Sequence, residues 1–167
     1  MINRWRKFQV GIGRGRAGFH GKWLQALTSV GNGADTTEDN LQTVTLEANG
    51  LYKLGQLVRI RCAGRTGANG NNKTFQLYFG GTSILTTGAL ASNALNWWVE
   101  AMIWRTGSKT QTAFAWGVFN GALIAPARTT LTKDDTATII IKGTGQSSVA
   151  TANDIQQDIL DVSVETL

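Results

Sequence analysis

His20 is the only histidine in the 167 residues and Cys62 the only cysteine, so each of the two most versatile nucleophile and ligand types occurs once. One of each cannot complete a tetrahedral zinc set, and a single thiol cannot form an internal disulfide. His20 stands between Gly18 and Gly21, a setting too pliable for a rigidly held Ser-His-Asp or Cys-His site. Cys62 ends the run Val58-Arg59-Ile60-Arg61-Cys62 and reads as a small buried hydrophobe. The carboxylates fall as Asp134-Asp135, adjacent in a turn, and as Asp154, Asp158, Asp161 and Glu165 along the last segment. Nothing brings two of them across a cleft, as glycoside hydrolysis requires, and alternation puts Asp161 and Glu165 on the wet side of a strand. The expectation is a protein that is not an enzyme, with no catalytic residue, no metal ligand and no cofactor.

Two nucleotide-binding patterns fail on context. Gly13, Gly15 and Gly18 fit GxGxxG, with Asp35 at about the distance of a ribose-binding carboxylate, but no buried strand leads into Gly13 and no βαβ alternation follows. Gly67 to Thr74 has P-loop spacing with Asn72 where glycine should stand. It runs into the strand pattern Phe75-Gln76-Leu77-Tyr78-Phe79, whereas a P-loop must open a helix. A hairpin loop is the plainer reading.

The net charge of +5 is unevenly spread. Residues 1–23 hold Arg4, Arg6, Lys7, Arg14, Arg16 and Lys22 with no acid, whereas residues 24–167 carry ten basic and eleven acidic side chains. Among those cations stand Trp5, Phe8, Phe19, Trp23 and five glycines, a composition without helical or strand period. Such an arm can neutralise phosphates and stack on bases, lie along an acidic protein groove with its rings in pockets, or merely solvate. Its aromatic content weighs against mere solvation.

These residues require a scaffold, and from residue 41 the chain supplies one. Short apolar or alternating runs separated by Gly, Asn, Asp, Ser and Thr predict an all-β sandwich or barrel, with strands near 43–48, 56–63, 73–79, 82–87, 96–106, 110–119, 136–142 and 156–166. Leu24, Leu27 and Val30 predict a short helix near 24–30, stopped at Gly31-Asn32-Gly33. The division is an extended arm over 1–40 and a β domain over 41–167. No run approaches the roughly 18 apolar residues of a membrane-spanning helix, so no membrane partner is expected.

One strand breaks the alternation. Over 96–106, Trp97, Val99, Ala101 and Ile103 form one apolar face, and the other carries Trp98, Glu100, Met102 and Trp104. Either the segment 120–131 folds over that second face, or it is a contact between subunits, with Trp98, Met102 and Trp104 at the seam.

The run Lys73-Thr74-Phe75-Gln76-Leu77-Tyr78-Phe79-Gly80-Gly81-Thr82, then Leu85-Thr86-Thr87-Gly88-Ala89-Leu90, then Trp97 to Gly107 ending Arg105-Thr106-Gly107, and the closing Asp158 to Val164 resemble a β-sandwich domain of tailed-bacteriophage structural proteins. The resemblance covers roughly residues 41–167. It implies a jelly-roll-like antiparallel sandwich that associates as a homotrimer on the virion, as a capsid decoration or cement protein or as a head or tail fibre end. No catalytic residues belong to that family. The absence of a long shaft in this sequence favours cement over fibre. On this reading the arm residues Arg4, Trp5, Arg6, Lys7, Phe8, Arg14, Arg16 and Trp23 bind the acidic surface of the major capsid protein. The alternatives are a fibre or receptor-binding domain, with Tyr78, Trp98 or Trp104 as a sugar platform, and a jelly-roll coat protein whose arm binds genomic nucleic acid.

Overall fold

A computed structural model describes residues 22–166. Those residues form twelve strands and no helix: β1 (Lys22–Ala26), β2 (Val30–Gly31), β3 (Asp39–Leu46), β4 (Leu57–Thr66), β5 (Asn72–Phe79), β6 (Thr82–Thr86), β7 (Leu90–Ala91), β8 (Asn96–Gly107), β9 (Thr110–Phe119), β10 (Ala122–Leu131), β11 (Ile139–Ser147) and β12 (Ile155–Glu165). The first sheet has the order β1-β12-β4-β8-β9-β10, with β2 also on β12; the second has β3-β11-β5-β6, with β7 against β5. The strand pairings are antiparallel throughout.

Alternation decides which side chains meet between the sheets. Val58, Ile60 and Cys62 of β4, Val99, Ala101 and Ile103 of β8, and Ala113 and Ala115 of β9 point inward and are buried, as are Phe75, Leu77 and Phe79 of β5 and Ile141 of β11. The large ring of Trp97 packs 4.3 Å from Phe75 and 6.2 Å from Phe119, centroid to centroid. It fits because Gly64 faces it from β4, where a Cβ would come within 2.5 Å of the indole. Cys62 lies in this core at 2% exposure, and burial pushes its thiol far up.

The eight expected strands all occur, with shifted ends. Four elements differ from expectation. Residues 22–26 are a strand, not the start of a helix over 24–30: Lys22 to Ala26 alternate, and their backbone pairs with Val164 to Leu160 of β12. Leu27, read as part of an apolar helical stripe, is 63% exposed. The sandwich therefore begins well before residue 41, because β1, β2 and the start of β3 already belong to it, and residues 1–21 lie outside the described residues. β4 runs on to Thr66, three residues beyond the strand expected over 56–63. Residues 122–131 are not a loop over β8 but the edge strand β10, bulged at Ala125-Pro126, with Pro126 at the edge where a missing N–H costs least.

Candidate assembly interface

The outer face of the first sheet is built by registration. Across five strands, Ile159 of β12 stands opposite Ala63 of β4, Ala63 opposite Trp98 of β8, Trp98 opposite Val118 of β9, and Val118 opposite Leu123 of β10. All five side chains are apolar and face away from the core. Ile159 is 41%, Trp98 43% and Leu123 73% exposed. With strands about 4.8 Å apart, this apolar row is about 19 Å long.

Two residues along the strands, a parallel row carries Asp161, Arg61, Glu100 and Trp116; beyond it lie Trp23, Ser163, Arg59, Met102, Phe114 and Arg128. Trp104 meets Phe114 edge-on at 6.0 Å. The charges between these apolar groups compensate one another: Arg61 Nη2 donates to Asp161 at 2.5 Å, and Arg59 lies 3.5 Å from both Glu100 and Glu165. Asp161 was expected on a wet face; it does point outward, but Arg61 and Gln25 cover it and leave 7% exposed. A hollow of about 300 Å³ lies between Trp98 and Ile159, rimmed by Arg61, Glu100 and Asp161. Trp, Met, Phe and Arg side by side on one sheet face, with Arg59 and Arg61 paired to carboxylates, are the composition of the central part of a protein interface.

Of the two readings of the Trp98 face, cover by the segment 120–131 is excluded, because β10 continues the sheet beside β9 and, among the described residues, leaves the face open. Trp98, Met102 and Trp104 do share that face, but they do not bury as a core would; Met102 and Trp104 are half-buried against their neighbours. Of the expected arm set, Trp23 is placed on the same face, 58% exposed, with the Arg61 guanidinium 5.6 Å from its ring centre. Arg4, Trp5, Arg6, Lys7, Phe8, Arg14 and Arg16 lie outside the described residues.

The carboxylates capable of chemistry are engaged in ion pairs and turns. Asp135 is buried and receives Arg105 Nε at 2.6 Å, and Asp134 receives Lys109 Nζ at 2.7 Å. Hydrogen bonds from Lys109 and Thr136 hold the Asp134 carboxyl down at about 2. Asp35, the supposed ribose ligand, accepts from Thr37 in its own exposed turn. Among the described residues no three His, Cys, Asp or Glu side chains gather as metal ligands would.

The polar centre that sequence reasoning missed is Lys73, the lysine of the apparent P-loop. It is fully buried, and its Nζ donates to the carbonyls of Asn69 (3.0 Å), Asn71 (3.2 Å) and Ser92 (2.5 Å) and to Asn69 Oδ1 (2.7 Å). Asp154, beside it, accepts from Ser147 Oγ at 2.6 Å, from Asn71 Nδ2 at 2.9 Å and from Asn69 Nδ2. The spacing that suggested phosphate binding instead fastens three loops at one end of the sandwich.

No protein family and no curated protein matches the sequence. Among solved structures, the chain is similar to the VP2 subviral particle of infectious bursal disease virus, at 12% identity and a TM-score of 0.33, over 87% of this chain and 33% of that one. It is also similar to the alginate lyase Aly36B, solved with alginate trisaccharide, at 10% identity and a TM-score of 0.25, over 85% of this chain and 100% of that one. The chain thus spans about a third of the length of the viral protein. Both likenesses are too distant to bear on fold or function.

Proposed function

We propose that this chain is a non-catalytic structural subunit of a bacteriophage virion: a jelly-roll cement protein that forms a trimer through the outer face of its first sheet and grips the capsid surface with its basic N-terminal arm. The jelly-roll reading is supported by the strand order. The four strands β1-β12-β4-β8 face β3-β11-β5-β6, the arrangement produced when two Greek keys close on each other, with β9 and β10 extending one sheet. The non-catalytic reading is supported by the engagement of Asp134, Asp135 and Asp154 in ion pairs and loop anchoring.

The observation that carries the proposal is the continuous apolar row from Ile159 through Trp98 to Leu123. A row of this kind on an outer sheet face is stabilised when a second surface removes it from water, at about 25 cal/mol per Å² of apolar area. A three-fold ring uses a heterologous contact, one face against a different face of the next copy, and closes without leaving a free patch. Three arms per ring then add avidity, with gains of about 10² to 10⁴ over a single arm.

Light scattering of the full chain tests the proposal. A trimer at micromolar concentration that dissociates on Trp98→Ser and Leu123→Ser is the expected result. A monomer overturns it.

A further inference from the structure

The opposite side of the sandwich carries a site of different character. On the outer face of the second sheet, Tyr78 of β5 pairs with Lys142 of β11, and Thr144 of β11 pairs with Asn40 of β3. Between Lys142 and Thr144 the β11–β3 register shifts, and such a bulge re-aims side chains. Here it brings Glu38, Asn40, Tyr78, Lys142 and Thr144 around an open hollow of about 290 Å³, closed on one side by Gly81 of the β5–β6 turn. At φ 78° Gly81 turns the chain in the left-handed region, and a Cβ there would meet no atom within 4 Å, so nothing overhangs the hollow at that edge.

The hydrogen bonds within the hollow leave capacity unspent. Lys142 Nζ donates to Asn40 Oδ1 at 2.5 Å and lies 5.3 Å from the Tyr78 ring centre, and an ammonium has three donors. Glu38 accepts from Thr144 Oγ1, and a carboxylate has about four acceptor positions. Burial, with the Glu38 carboxylate hydrogen-bonded beside it, raises the Tyr78 phenol above its usual range, which leaves the phenol oxygen as an acceptor.

This combination discriminates among ligand classes. Glu38 disfavours an anion such as phosphate, and Lys142 disfavours a metal cation. A neutral group that both donates and accepts at adjacent positions satisfies carboxylate, ammonium, amide and hydroxyl together. Vicinal sugar hydroxyls do this, and the ring of Tyr78 provides an apolar wall for the C–H face of a pyranose. The volume sits at the low end for small-molecule sites and suits a monosaccharide-sized group. We propose that the Glu38–Asn40–Tyr78–Lys142 hollow binds a neutral saccharide. The site lies on the sheet opposite the apolar row, and it does not depend on the assembly reading.

The test is a glycan array of neutral and acidic saccharides probed with the labelled full chain, whose multivalent display suits a weak site. Retention of neutral saccharides is expected, with at least a tenfold loss of signal for Glu38→Gln and for Tyr78→Ala. Glu38→Gln alters only a surface group, so it answers the question even if Tyr78→Ala does not fold. A blank array, signal confined to acidic saccharides, or signal that survives Glu38→Gln overturns the proposal. A full wild-type chain that is monomeric by light scattering yet gives the expected array signal speaks against the assembly reading alone.

Discussion

Lys73 Nζ lies 3.7 Å from Asp154 Oδ1, with both side chains wholly out of contact with solvent. Their partners come from the loops that join β4 to β5, β7 to β8 and β11 to β12, so one buried ion pair holds one end of both sheets. Removing one partner strands the other charge in a dry site. Lys73→Met is therefore expected to cost about 3–5 kcal/mol, measured by urea unfolding. A cost below about 1 kcal/mol would show that water reaches Asp154.

The same pair sets acid sensitivity. Burial alone would raise the Asp154 carboxyl, but hydrogen bonds from Ser147, Asn71 and Asn69 and the charge of Lys73 outweigh it and hold it below its usual range. The folded state then binds fewer protons than the unfolded one, so the contribution is whole above the unfolded carboxylate value of about 4 and is lost as pH falls through the native value. Thermal midpoints taken from pH 7 down to about pH 2 should fall more steeply for the wild type than for Asp154→Asn.

Gly64 marks where backbone and indole come closest. Added carbon there would press on Trp97 and on the Gln156 carbonyl of the neighbouring strand. Gly64→Ala is expected to destabilise by about 1–3 kcal/mol, read from denaturant midpoints, with little change in the Trp98 face.

Cys62 reports on opening of the core. Its thiol is buried and hard to ionise. A disulfide reagent at about pH 8 should leave the native protein unmodified over the time in which the unfolded chain, with an ordinary thiol near 8.5, reacts completely. Rapid native labelling would mean that β4 opens locally from the sheet.

The arm and the body separate by salt. If the cations of residues 1–23 bind the genome rather than an acidic shell, log affinity should fall with log salt at about −0.9 per neutralised phosphate, a slope near −5 for this arm. A shallower dependence in cosedimentation with empty phage heads is expected for a latch that also seats Trp5 and Phe8.

Much of the sandwich was legible in the sequence because strands with one wet side announce themselves: Val58-Ile60-Cys62 and Phe75-Leu77-Phe79 alternate cleanly and sit where alternation puts them. β1 was not legible. Leu24, Leu27 and Val30 are spaced like a helical stripe, and only pairing with β12 decides otherwise. β10 was hidden for another reason: Ala122 to Leu131 has no alternation, because the bulge at Ala125-Pro126 shifts its register and only Ile124 and Leu131 turn toward the core. The Trp98 row was half visible, since Trp98 broke the pattern of its own strand. Ile159 and Leu123 joined it only through cross-strand register, which no local window contains. Lys73 looked like a phosphate ligand because its loop shares P-loop spacing; its true partners, Ser92 and Asp154, are distant in sequence.

Pro126 and the bulge beside it interrupt β10 midway along the otherwise free margin of the first sheet. A continuous margin of ten residues with Arg128 as its sole charge would invite copies to add strand upon strand without limit. A ladder broken at its middle cannot be extended that way, so crowded copies of this chain resist stacking into fibrils along that edge.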